Sequence, residues 1–259
     1  MTASRDPGGF SPPFVAAARA AREVAVHGFA VLEGPAVREL LDVDAEALAT
    51  LQPSWDDLPP DAYLRDGGRY RRRRHACFVV EGGDAARAPH RAHWQPVEYN
   101  ALHGGMRRWF EPVDDGVAAQ PAWRAILLRL GAIATALRPQ VARWFVEAHQ
   151  FRIDTTDGIG RPTPEGAHRD GVDLVAVFVL ARHAIRGGET RVFEADGPNG
   201  QRFTLDAPWS LLLLDDARVI HESTPIQPAA AHAPGHRDTL VLTYRANGFQ
   251  GDDATASPP

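Results

Sequence analysis

The chain has a single cysteine, Cys77, in 259 residues. One thiol excludes an intrachain disulfide and a cysteine-rich zinc site, and it suits a reducing compartment. No stretch approaches the roughly eighteen apolar residues that span a bilayer. The opening Met-Thr-Ala-Ser-Arg-Asp-Pro-Gly-Gly lacks the apolar core of a secretory signal, so a soluble, cytoplasmic protein is expected. Positive charge is not in excess either. The net charge is −5 with both signs mixed, which argues against a nucleic-acid partner. There is no internal repeat. What is present, 44% hydrophobic residues over this length, suits one globular domain across 1–259.

Apolar spacing predicts a helix over Phe14–His27, stopped by Gly28, then a short strand Phe29–Leu32 and a second helix Val37–Leu51. A polar loop over 53–68 leads to a strand pattern over Arg69–Val80 with four consecutive arginines. Alternate residues of a strand face opposite sides, so these arginines read as a partly solvated strand rather than a phosphate patch, with room for one to enter a pocket. Residues 81–122 are irregular, and Pro121–Phe145 reads as a long helix bent or split at Pro139. From His149 onward the pattern changes to short strands over 149–153, 174–180, 190–194, 202–205, 210–214, 218–221 and 239–245, punctuated by glycine turns. The expected class is α+β: a mainly helical part, 14–145, packed on a double-stranded β-helix (jelly roll) core, 149–250. Residues 1–13 read as loose and 251–259 as a disordered tail.

The chemistry centres on Pro162-Thr163-Pro164-Glu165-Gly166-Ala167-His168-Arg169-Asp170-Gly171-Val172-Asp173, which runs into the apolar segment Leu174–Leu180. His168 and Asp170, two apart at the mouth of a strand, project together as two thirds of a facial metal triad. The third ligand belongs on a late strand. His221 ends the buried strand-turn-strand Leu211–Ile220, whereas His27 ends a helix, His90, His93, His103, His232 and His236 lie in loops, and His183 follows the strand after Asp170 by too few residues to cross the barrel. His168, Asp170 and His221 would hold iron(II) and leave three positions for a chelating co-substrate and dioxygen. Zinc on the same ligands is disfavoured, because such zinc sites serve hydrolysis with an extra glutamate base. The usual chelator, 2-oxoglutarate, needs a buried cation for its far carboxylate. Arg237 supplies one on the face it shares with Thr239, and Arg245 is the fallback.

The chain resembles the bacterial 2-oxoglutarate/iron(II) dioxygenases that include isoleucine 4-hydroxylase and related free amino acid hydroxylases. The resemblance is carried by His149–Ile153, the Pro-Thr-Pro-Glu-Gly-x-His-x-Asp-Gly run, Gly187-Gly188-Glu189-Thr190, His221–Ile226 and Arg237-Asp238, with Gly28–Leu32 adding to it. It implies iron on His168, Asp170 and His221, 2-oxoglutarate on Arg237, and hydroxylation of a small amino acid at an unactivated carbon. Two competing readings are weaker. A halogenase needs an open position where Asp170 sits, and a cupin-like sensor has no need for a carboxylate clamp such as Arg237. A zwitterionic substrate needs a cation and an anion beside the metal. Arg152 for its carboxylate and Glu165 for its ammonium have the right placement in the sequence, unless the two merely brace the intervening loop.

Overall fold

A computed structural model describes residues 11–231 and 233–252. The expected loose start and disordered tail fall mostly outside these, as does His232. The strands in chain order are β1 (Phe29–Leu32), β2 (Arg71–Glu81), β3 (Asp84–Arg87), β4 (Arg143–Asp154), β5 (Leu174–His183), β6 (Ile185–Gly187), β7 (Thr190–Glu194), β8 (Gly200–Phe203), β9 (Ser210–Asp215), β10 (Val219–Ser223), β11 (Ile226–Pro228) and β12 (His236–Arg245). The helices are α1 (Ala20–His27), α2 (Gly34–Leu41), α3 (Ala45–Ala49), α4 (Asp115–Ala118) and α5 (Pro121–Leu137). No helix among the described residues is long and apolar enough to cross a membrane.

Seven strands form one antiparallel sheet in the order β1-β9-β5-β12-β4-β2-β3. A smaller sheet, β10-β7-β8, and the pair β11-β6 make up the opposite side of the double-stranded β-helix. Period-two alternation explains how the large sheet is covered on both faces. Leu174, Ala176, Phe178 and Leu180 of β5 join Leu240, Leu242 and Tyr244 of β12 in the core under α1, α2 and α5. Val175 and Val179 face the other way, into the core shared with Val192, Phe203 and Val219. Trp123, Ile126, Leu130 and Ile133 supply the buried stripe of α5 that seals the helical side.

Three features differ from the expected organisation. The two strands expected in the mainly helical first part do not stay outside the core: β1 and β2 are integral to the large sheet, β2 pairing with β4 over eleven register positions from Arg71↔Ile153 to Glu81↔Arg143. The long helix ends at Leu137, and β4 starts at Arg143, so Pro139 separates a helix from a strand instead of bending a helix. The second expected helix divides into α2 and α3 at Asp42, whose φ of 58° is left-handed and ends the first segment.

Candidate active site

A cleft between the two sheets is lined by alternate residues of the large sheet: Arg71 and Arg73 from β2, His149 and Phe151 from β4, and Arg237, Thr239 and Val241 from β12. The loops add Gln95, Arg108, Glu165, His168 and Asp170. A wider surface groove, lined by Phe29, Val192, Phe193 and Gly200 among others, contains none of the expected ligands.

His168 and Asp170 lie just ahead of β5, in an extended segment bridged to β10. His168 N–H donates to His221 O and His221 N–H to His168 O, both at 3.0 Å. This two-way bridge brings the imidazoles to 4.7 Å between ring centroids. Asp170 stands between them, with Oδ1 3.9 Å from His168 Nε2 and Oδ2 3.8 Å from His221 Nε2. The Nδ1 of His168 lies 2.9 Å from Gly166 O, so its proton belongs there and the Nε2 lone pair faces Asp170. Behind the ligands, the buried Asp216 accepts the backbone N–H groups of Asp170, Gly171 and Val172 at 2.9, 2.7 and 3.1 Å. Gln250 closes the other side, donating Nε2–H to Asp170 O at 2.7 Å and Gly171 O at 3.1 Å.

The electrostatics suit a cation. Burial raises the Asp170 carboxyl to about 7, opposed by His168, while Asp216 and Glu165 push it further up. Burial pushes the His168 imidazole down, but Asp170 and Glu165 outweigh that and hold it above its usual value. His221 is held well below its usual range by burial and by His168, which keeps it neutral. Two imidazoles and a carboxylate converging on one point can hold iron(II) in a facial arrangement.

Arg237 and Thr239 share the cleft-facing side of β12. The arginine is only 4% exposed, and its Nε has no hydrogen-bond partner among the described residues. Burial, with Arg182 nearby, lowers it to about 9. No carboxylate among the described residues pairs with it, so an incoming carboxylate would meet an unanswered cation. The fallback is otherwise engaged: Arg245 donates to the carbonyls of Gly248 and Phe249 at 3.0 and 3.2 Å. Glu165 is in the cleft, its Oε1 3.6 Å from His168 Nε2 and its buried Oε2 without a hydrogen bond.

Arg152 is not in the cleft, and this corrects the expected carboxylate clamp. Strand alternation turns it to the opposite face from Phe151 and Ile153. There it grips Asp238 through two hydrogen bonds of 2.8 Å and reaches Asp56 at 3.0 Å. The cations of the cleft wall are instead Arg71, Arg73 and Arg108, each with one buried nitrogen lacking a partner (Nη2, Nε and Nε). The signal for the first two is the alternation of β2, where 71, 73, 75 and 77 oppose the apolar 76, 78 and 80. Arg108 and Gln95 come from an irregular loop that has no such period.

Residues 52–243 match the family model described as 2OG-Fe dioxygenase. Among solved structures, a bsmA homologue from Methylobium petroleophilum PM1 is 52% identical, the alignment covering 93% of this chain and 97% of that one with a TM-score of 0.87. IDO from Bacillus thuringiensis is 18% identical over 95% of this chain and 100% of its own, with a TM-score of 0.72. The Fe(II)/α-ketoglutarate-dependent dioxygenase TqaL is 20% identical over 91% of this chain and 89% of its own, with a TM-score of 0.70. These last two share the fold. No curated protein matches the sequence.

Proposed function

The chain belongs to the 2-oxoglutarate/iron dioxygenase family, whose members use iron(II), 2-oxoglutarate and dioxygen, and on that premise we propose that it hydroxylates an unactivated carbon of a free L-amino acid. His168, Asp170 and His221 are the proposed iron ligands, and Arg237 with Thr239 the proposed clamp for the far carboxylate of 2-oxoglutarate. When bound, iron and 2-oxoglutarate supply dioxygen activation, with succinate and carbon dioxide as co-products. The protein's own part is to exclude water, orient the substrate and hold the ligand loop. Asp216 and Gln250 fix that loop from two sides.

The observation that carries the substrate class is the set of buried polar atoms on the cleft wall that lack a hydrogen bond. Arg71, Arg73 and Arg108 each present a buried nitrogen without a partner, and Glu165 a buried oxygen without one. An α-carboxylate and an α-ammonium would answer these, and burying them unanswered costs about 1–3 kcal/mol each. Arg71 and Arg108 are the proposed carboxylate partners, Glu165 the ammonium partner, and Phe151 an apolar wall for the side chain. The functional analogy is to the free amino acid hydroxylases that the sequence resembles.

The test is a screen of free amino acids with iron(II), 2-oxoglutarate and ascorbate, scored by gain of one oxygen atom and by succinate. His168→Ala, Asp170→Ala and His221→Ala are each expected to abolish both signals in folded protein. Arg108→Gln is expected to raise the substrate KM while 2-oxoglutarate decay continues uncoupled. Equal turnover of the amino acid methyl ester, or turnover of peptides alone, would refute the free amino acid reading.

A further inference from the structure

Behind the cleft wall lies a second set of ligand-type side chains, distinct from the triad. Register places His75 of β2 opposite His149 of β4, and Cys77 opposite Glu147. His93 reaches the same point from the loop after β3. All four residues, His75, His93, Glu147 and His149, are buried. Their nitrogens converge on one carboxylate oxygen: Glu147 Oε2 is 3.0 Å from His75 Nε2, 2.6 Å from His93 Nδ1 and 3.9 Å from His149 Nε2. The four ligand atoms all lie within 4.8 Å of one another. Donors about 2.1 Å from a common ion sit roughly 3–4 Å apart, so little movement separates this cluster from a coordination sphere.

We propose that His75, His93 and Glu147 bind a second divalent transition-metal ion behind the cleft wall, with His149 as a conditional fourth ligand. Three imidazoles and one carboxylate suit zinc and its neighbours better than magnesium or calcium. A metal requires the proton moved off each ligating nitrogen, and the buried His75 Nδ1, without a hydrogen-bond partner, is placed to take that of its Nε2. Burial keeps all three imidazoles below their usual value, His93 at about 3. Burial would raise Glu147, but His93 and His75 outweigh it and hold the carboxylate well below its usual range. His93 and His149 line the cleft, which provides the entry path.

Arg73 sets the condition on His149. Its guanidinium lies 3.7 Å from the Phe110 ring centroid and 4.4 Å from that of Phe151. It donates Nη2–H to His149 Nδ1 at 2.6 Å. With Nδ1 accepting, neutral His149 carries its proton on Nε2, the atom facing Glu147. His149 can ligate through Nε2 only when Arg73 releases Nδ1 and the proton moves there. The ion is therefore held by three residues while Arg73 is in place and by four once it is removed.

The experiment uses the full chain with the triad disabled, His168→Ala/Asp170→Ala, titrated with zinc(II) by calorimetry, with bound zinc measured after gel filtration. One zinc per chain is expected. Adding Glu147→Gln or His93→Gln should remove it, and adding Arg73→Met should tighten it tenfold or more. Zinc absent from the triad-disabled chain, or still bound at one equivalent after both Glu147→Gln and His93→Gln, overturns the proposal. Should Glu147→Gln fail to fold, His93→Gln, which changes only a loop residue, carries the test. Cobalt(II) absorption of the triad-disabled chain reports ligation with the cluster unaltered, and absence of its ligand-field bands overturns the proposal equally. Metal content is the readout throughout, so the outcome is separate from that of amino acid turnover.

Discussion

Replacing Arg237 by methionine should weaken 2-oxoglutarate and, at the same time, stabilise the protein that lacks it. Methionine keeps most of the aliphatic stem and removes the guanidinium. In the structure that guanidinium is a 4% exposed cation without a carboxylate among the described residues, close enough to Arg182 for mutual repulsion. Its burial is a cost until a carboxylate arrives. Losing one partner of a buried, hydrogen-bonded charge pair costs about 2–5 kcal/mol. That corresponds to a rise in the 2-oxoglutarate constant of roughly 30- to 5,000-fold. Removing an unanswered buried cation should raise the melting temperature of the ligand-free chain, by about 2–4 °C for each kcal/mol gained. Calorimetric titration of 2-oxoglutarate and thermal melts without it measure the two effects on one preparation, with iron content as the control. An unchanged 2-oxoglutarate constant, or a lower melting temperature with binding intact, would refute the assignment.

Asp216→Ala leaves three half-buried N–H donors of the ligand loop without their acceptor, so a loss of about 3 kcal/mol in stability is expected, with at least tenfold weaker iron binding; urea melts and iron titration measure both. Gly171→Ala should weaken iron binding much more than Gly166→Ala. Both glycines have left-handed backbones (φ +77° and +82°), but only at 171 would the new Cβ meet another residue, 2.5 Å from the Tyr99 ring. Metal-free, triad-disabled protein (His168→Ala/Asp170→Ala), which lacks the raised Asp170 carboxyl that acts in the opposite sense, should lose stability as pH falls from about 6.5, because the unfolded chain protonates His93 there while the folded chain, at about 3, does not. At about pH 5 this one group accounts for a loss of about 2 kcal/mol. Glu147, depressed in the folded state, adds to the loss below about pH 4.5. Flat urea stability of that triad-disabled chain between about pH 7 and 5 would contradict a buried neutral His93.

What was legible in the sequence was what short-range pattern encodes. Strand β7 falls on its expected residues and β5, β9 and β12 contain theirs, because β-branched and aromatic runs between glycines have few other uses. The juxtaposition of His168, Asp170 and His221 was legible from one motif and one strand end. Arg152 failed because spacing along the chain does not say which way a side chain leaves a strand. Alternation from the cleft-facing His149 would have turned it outward. The His75, His93, Glu147 and His149 cluster was invisible for a different reason. His93 looked like one more loop histidine, and the two strands that make the cluster are separated by α4, α5 and the whole irregular segment. Only the β2–β4 register joins them.

Gln250 has a consequence for handling the protein. Its side chain is tied to the carbonyls of Asp170 and Gly171. Gln250 is thus a peg in the metal loop. Trimming back to Phe249 for crystallisation would release those two carbonyls. A fusion partner joined straight after Gly251 would pull on them, since Gly251 itself packs against Trp94.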